Sequence, residues 1–268
     1  MPKYFAKTDI YDRNGILLIS KGQKMTDAII ARLKSLGSYK LDDLINSDDK
    51  QSAVLISIAK AFGARMNIHN DRVLERPNKV LSTIIFESKA KPWWIYVNAL
   101  GNYVDWLYTH SIDVAMISLM LAVELGYNDE ELLHLGLGAF LHDVGKLLVP
   151  KFIIQKPEPL SDIEMVYMRQ HCELGVSSLE PFNLPKACTD IVLQHHERQD
   201  GSGYPKGLKG DEICHNAQIV MIADVIDAIT SGRPYKQQQE MGAAIKILRI
   251  NEKKYPQELV TLLTKILE

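Results

Sequence analysis

Residues 142–146 read HDVGK, and HHERQDGSGYP follows at 195–205. Histidine and carboxylate side chains are donors for divalent metal ions. The two stretches place His142, Asp143, His195 and His196 near the ends of apolar segments. Three more such residues stand in comparable settings: His110 in YTHS, His171 in RQHCELG and Asp224 in MIADVIDAIT. Asp224 interrupts an apolar run, and a buried carboxylate requires a partner, of which a cation is one. Any one of these residues reads more simply as a hydrogen-bonded core or rim side chain. Seven of them on successive helical segments make that coincidence the weaker explanation. His69, His134 and His215 keep the simpler reading.

Seven donors exceed the roughly three or four that one tetrahedral zinc uses. Five imidazoles and two carboxylates suit a dinuclear centre in which a carboxylate bridges. Ligation without thiolate favours iron, manganese or zinc and leaves the choice open. Two ions roughly 3.5–4 Å apart are a device for in-line attack on a phosphate ester, through a hydroxide that both share. Lys146 follows His142 by four residues and Asp143 by three, so a continuing helical turn would put all three on one face. An ammonium there can bind a phosphate or help the leaving oxygen depart. DGSGYP, at 200–205, must be a loop. Its glycines admit close backbone approach, and Tyr204 offers a ring for stacking or a hydroxyl for hydrogen bonding. SGRPYKQ supplies two cations, Arg233 and Lys236, suited to a phosphate ligand.

Such local cations matter because the chain has no broad basic field. Its formal net charge is −2 over 268 residues, which argues against DNA or RNA as a partner. Three cysteines, an odd number without a CxxC pair, argue for a reducing compartment rather than a disulfide framework. MPKYFAKTDIYDRNG carries charges where a signal peptide needs an apolar core. No apolar run approaches the roughly 18 residues of a membrane span. A cytoplasmic protein without a membrane span is the expectation.

The elements that must position these residues fall into two parts. Residues 1–91 read as a small N-terminal α+β regulatory unit. YFAKTDIY and ILLI have strand character and are joined by DRNG, a hairpin turn. TDAIIARLKSLG reads as a helix capped by Thr26 and stopped by Gly37. LERPNKVLSTIIFESKAKP reads as mixed, broken by Pro77 and Pro92. Residues 92–268 read as an all-α bundle, whose core is a natural place for metals because facing helices project side chains to a common point. The stretch from Pro92 to Tyr127 predicts two helices with a break near Gly101. Asn128 caps the helix that ends in HD, and Ser161-x-x-Glu164 is a capping box opening a helix that carries His171.

HDVGK, the histidine of RQHCELG, HHERQDGSGYP and ADVIDAITSGRPYK, in this order, resemble the HD-GYP family. That family comprises the HD-domain phosphohydrolases that hydrolyse cyclic di-GMP in bacteria. The resemblance runs from about residue 95 to the C-terminus. It implies an all-α HD fold with a dinuclear metal site, often iron. By motif position it implies His110, His142, Asp143 and Asp224 on one metal, with Asp143 bridging to His171, His195 and His196 on the second. Lys146 matches the family's catalytic lysine. Gly203, Tyr204 and Pro205 match the naming motif, and Arg233 and Lys236 match ligand-phosphate contacts. Members with a third metal carry a glutamate four residues before the first histidine, where this chain has Trp106, so two metals are expected. The implied activity is hydrolysis of cyclic di-GMP to pGpG, GMP or both. The alternatives are a non-catalytic cyclic di-GMP receptor and a hydrolase of another cyclic dinucleotide. A homodimer or a signalling partner would act through the N-terminal unit.

Overall fold

A computed structural model describes residues 72–231 and 240–267. It also describes residues 62, 63, 66 and 68 and the backbone of five short strands between residues 4 and 46. The chain separates into two compact units, Met1–Ile58 and Ala59–Glu268.

In the first unit, strand β1 (Tyr4–Ala6) precedes β2 (Ile10–Tyr11), β3 (Leu17–Ile19), β4 (Lys24–Met25) and β5 (Leu44–Asn46). β1 lies between β4 and β5, antiparallel to both. β2 pairs with β3, also antiparallel, so DRNG connects two paired strands. The single strand expected over YFAKTDIY is instead two strands in two sheets. The helix expected at residues 26–37 lies outside the described residues.

The second unit is an all-α bundle. Its helices that lie wholly among the described residues are α1 (Arg72–Ser88), α2 (Trp94–Tyr103), α3 (Asp105–Glu124), α4 (Asp129–Leu141), α5 (Lys151–Ile154), α6 (Asp162–Arg169), α7 (His171–Leu179), α8 (Lys186–Gln194), α9 (His215–Thr230), α10 (Met241–Ile250) and α11 (Gln257–Leu267). α1 packs on α3 and α4, so the bundle begins well before residue 92. Pro77 lies inside α1 rather than breaking it. An interior proline costs about 3 kcal/mol. Leu74, Leu81, Ile84 and Ile85 of the same helix are almost fully buried. Four such side chains contribute about 6–12 kcal/mol on burial, which outweighs the proline.

The break between α2 and α3 falls at Val104, whose extended backbone (φ −144°, ψ 121°) interrupts the helix three residues beyond Gly101. α3 is the central helix and contacts α1, α2, α4, α9 and α11. By length and composition, Trp106–Glu124 is apolar enough to cross a membrane, contrary to the expectation that no such run exists. Within that run 72% is buried inside the bundle, and a helix surrounded by others is apolar all round. α4 opens with Asn128 and Glu131 in a reciprocal capping box, and α6 with Ser161 and Glu164 in another. The helix expected to run from Ser161 through His171 is two, α6 and α7, meeting at Gln170.

Candidate metal centre

The candidate ligands come from five places in the bundle. His110 lies in α3, and His142 and Asp143 follow the C-terminus of α4. His171 opens α7, His195 and His196 follow α8, and Asp224 lies in α9. Beyond Asp143 the chain tightens into a 3-10 turn, Val144–Leu148, rather than continuing as α-helix. Residues i and i+3 eclipse in a 3-10 helix. Lys146 accordingly comes over Asp143, with Nζ donating to Oδ2 at 2.5 Å. Gly145 permits this turn to touch α7. A Cβ at 145 would collide with the His171 carbonyl oxygen and lie 2.5 Å from the Gly175 nitrogen.

The seven side chains converge in two groups, His110–His142–Asp224 and Asp143–His171–His195–His196. Within each group the ligand atoms lie within 4.8 Å of one another. His110 Nε2 is 3.3 Å from His142 Nε2, 3.3 Å from Asp224 Oδ1 and 3.4 Å from Asp143 Oδ2. His171 Nε2 is 3.3 Å from His195 Nε2 and 3.5 Å from Asp143 Oδ1. His196 Nδ1 is 3.7 Å from Asp224 Oδ2. Asp143 therefore turns one oxygen to each group.

Hydrogen bonds behind the rings fix which nitrogen is bare. His142 Nδ1 donates to the Ala139 carbonyl at 2.7 Å, and His171 Nδ1 to that of Met168 at 2.7 Å. His195 Nδ1 faces the Ile191 and Val192 carbonyls at 3.1 and 3.0 Å. His110 Nδ1 donates to Asp227 Oδ2 at 2.5 Å. Carbonyls and carboxylates only accept, so in each ring Nδ1 carries a proton, and it is Nε2 that, in the neutral ring, presents a lone pair to the site. These lone pairs face one another in pairs, and the buried Asp143 Oδ1 has no hydrogen-bond partner. A buried polar atom left so is costly unless something positive is nearby. Opposed imidazole lone pairs around an orphaned carboxylate oxygen fit a bound divalent cation, and the rear hydrogen bonds are those that orient metal-ligating histidines.

The electrostatics agree. Burial pushes the His171 pKa down to about 4 and holds His195 and His196 well below the usual histidine value. All three rings are neutral at pH 7. Burial opposes charge on His110 too, but hydrogen bonds with Asp143, Asp224 and Asp227 carry its pKa well above the usual value. Burial would raise Asp143 and Asp224. The Lys146 ammonium and His142 beside the first, and His110 and His196 beside the second, hold both well below the carboxylate range.

The glycine loop is anchored on the same place. Tyr204 N–H donates to the His196 carbonyl at 3.2 Å, and its ring lies 4.8 Å from the His196 ring. The Arg169 guanidinium sits 5.2 Å from the Tyr204 ring centre. The Tyr204–Pro205 peptide is cis. Glu197, fully buried, accepts from the backbone N–H groups of Lys206 and Leu208 at 2.8 and 3.0 Å. Gly203 packs against the backbone of Glu197 and Arg198, where a Cβ would lie 2.5 Å from the Glu197 carbonyl carbon. Arg233 and Lys236 lie outside the described residues, as does His69. His134 and His215 belong to neither donor group.

Four residues here escaped the sequence reading: Asp227, Glu197, Arg169 and Cys172. Asp227 follows Asp224 by three residues, the spacing that shares a helix face. Cys172 Sγ is 3.6 Å from His171 Nε2, and burial pushes its thiol pKa up. Trp106 packs edge-on against the His110 ring at 5.9 Å.

The HD domain family model matches residues 95–259. The chain is 37% identical over 174 residues to a cyclic di-GMP phosphodiesterase of Thermotoga maritima, covering 63% of this chain and 47% of that protein. It is 41% identical over 131 residues to the cyclic di-GMP phosphodiesterase response regulator RpfG of Xanthomonas campestris pv. campestris, covering 48% and 35%. It is 36% identical over 174 residues to 3'3'-cGAMP-specific phosphodiesterase 1 of Vibrio cholerae, covering 63% and 40%. The chain thus spans less than half the length of each of these relatives. Among solved structures, the HDG"Y"P protein Bd1817 of Bdellovibrio bacteriovorus shares the fold, with a TM-score of 0.56 at 21% identity over 98% of this chain and 95% of that one. A helical bundle with a His-Asp pair closing one helix and further histidines facing it defines an HD-type domain. The chain belongs to the HD domain family.

Proposed function

We propose that this chain is a metal-dependent phosphodiesterase that hydrolyses cyclic di-GMP to pGpG, GMP or both. The observation that carries the reading is the gathering of five imidazoles, two carboxylates and Lys146 in one buried place beside the Tyr204 loop. The names of the relatives from Thermotoga maritima and Xanthomonas campestris support it. His110, His142, Asp143 and Asp224 would hold one ion. Asp143, His171, His195 and His196 would hold a second, with Asp143 bridging. Iron is the ion this reading favours, with manganese or zinc as substitutes for the same donors. When bound, two divalent ions lower the pKa of water and neutralise charge on a phosphoryl group.

The chain's own groups supply the rest. Asp143 fixes the Lys146 ammonium at the edge of the donor groups. There Lys146 Nζ offsets the charge that builds on the phosphoryl oxygens and holds a proton at the leaving ribose oxygen. Gly203, Tyr204 and Pro205 form a wall that orients the substrate, and Arg233 and Lys236 are assigned to its phosphates. The hydrogen bonds behind the histidines keep their lone pairs turned inward while substrate enters. The first unit, Met1–Ile58, is assigned a regulatory role, through a homodimer or a signalling partner, and a cytoplasmic location goes with this reading.

Purified chain loaded with ferrous iron or manganese under reducing conditions should linearise cyclic di-GMP, with products separated by chromatography. A panel that includes 3'3'-cGAMP, the substrate in the name of a 36% identical relative, settles the preferred dinucleotide. Every cyclic dinucleotide left uncut defeats the catalytic reading. Tight binding of cyclic di-GMP without turnover identifies a receptor instead.

A further inference from the structure

The two donor groups share their carboxylates. Asp143 turns Oδ2 to His110 and His142, at 3.4 Å each, and Oδ1 to His171 at 3.5 Å. Asp224 turns Oδ1 to His110 at 3.3 Å and Oδ2 to His196 at 3.7 Å. Neither acid therefore distinguishes one side from the other.

The supports behind the imidazoles do. His142, His171 and His195 rest Nδ1 on neutral main-chain carbonyls. Of the four rings held this way, His110 is the one that rests on an anion, Asp227 Oδ2 at 2.5 Å. Asp227 is fully buried, and its Oδ1 accepts from Ser231 Oγ at 2.5 Å, one helical turn further along. The serine fixes the plane of the carboxylate, and the carboxylate fixes the plane of the imidazole. Hydrogen bonds to an ionised acceptor are roughly twice as strong as neutral ones, and an anionic rear partner makes Nε2 a better donor.

We infer that Asp227, fixed by Ser231, makes the His110–His142–Asp224 position the tighter of two unequal metal positions. The ions then load in order, and the His171–His195–His196 position is the exchangeable one. Asp227 acts as a positioning residue and touches neither ion nor substrate. The inference rests on the metal-binding reading proposed above.

The test is a titration of metal-free full-length chain with Mn2+ against a series of chelators, with free ion read by electron paramagnetic resonance. Wild type should take up two ions per chain in steps separated by about tenfold or more. Asp227→Asn should weaken the first step by about 10–100-fold, the usual loss on removing a rear partner, and leave the second unchanged. His171→Ala should do the reverse. An unchanged first step in Asp227→Asn, or a first step lost in His171→Ala, overturns the inference. If Asp227→Asn fails to fold by circular dichroism, Ser231→Ala decides. That variant keeps the charge and should weaken the first step severalfold; no change overturns the inference. Two equal steps overturn this inference alone, whereas no uptake at all overturns the metal-binding reading with it.

Discussion

Asp143→Ala is the substitution with the widest consequences. The carboxylate faces His110 and His142 at 3.4 Å with one oxygen and His171 at 3.5 Å with the other, so its loss opens both donor groups. It also strands Lys146, a buried ammonium whose partner is Asp143 Oδ2 at 2.5 Å. Removing one member of a buried ion pair costs about 3–5 kcal/mol. For a domain of this size each kcal/mol shifts Tm by about 2–4 °C, so the metal-free variant should melt about 6–20 °C lower. Metal content, measured by mass spectrometry after loading, should fall from about two ions per chain to one or none, because a bridging ligand serves both ions. The double variant Asp143→Ala, Lys146→Met separates the two effects. Deleting the stranded charge should restore much of the lost Tm without restoring metal. Unchanged metal content in the single variant, or recovery of metal in the double, would refute the bridging role.

Metal uptake should release protons. His110 is held charged by the acids around it and must lose a proton to ligate, whereas His171, with a pKa near 4, is already neutral at pH 7. Affinity should therefore rise with pH across the neutral range, with about one proton displaced per chain in calorimetry repeated in buffers of different ionisation enthalpy. Lys146→Met should keep both ions but lower kcat by about 100–1,000-fold, the usual cost of losing one electrostatic contact at a transition state; an unchanged kcat removes Lys146 from the chemistry. Gly203→Ala forces the loop about 1 Å away from Glu197 to reach an ordinary carbon–carbon contact. Displacement of that size can cost about 100-fold in kcat/KM, and the metal content should stay at the wild-type value.

What the sequence discloses follows from what each residue type can tolerate. Seven donors among apolar neighbours are legible because a buried imidazole or carboxylate has few reasons to be there. Asp227 escaped because one acid in a helix has many. Lys146 was paired with the right acid through the wrong helix: spacing cannot separate an α turn from a 3-10 turn when the i,i+3 contact serves both. Gly203 and Tyr204 stand out as a loop, but the clamp on that loop, Glu197, is a charged residue whose burial depends on chain far along in space. Pro77 marks a helix break only if nothing larger opposes it, and the apolar face of α1 does. That same face carries the helical unit back beyond residue 92, since burial of Leu74 and Leu81 is decided by partners on α3 and α4.

The contact of Gly145 with the main chain of α7 sets a mechanical condition on the site. Two of its ligand-bearing segments meet as bare polypeptide, with no side chain serving as a spacer between them. Their separation is thus insulated from repacking in the surrounding hydrophobic interior, which can drift or be substituted while the gap between His142–Asp143 and His171 stays the same. A methyl group at position 145 is the smallest wedge that would pry the two halves apart.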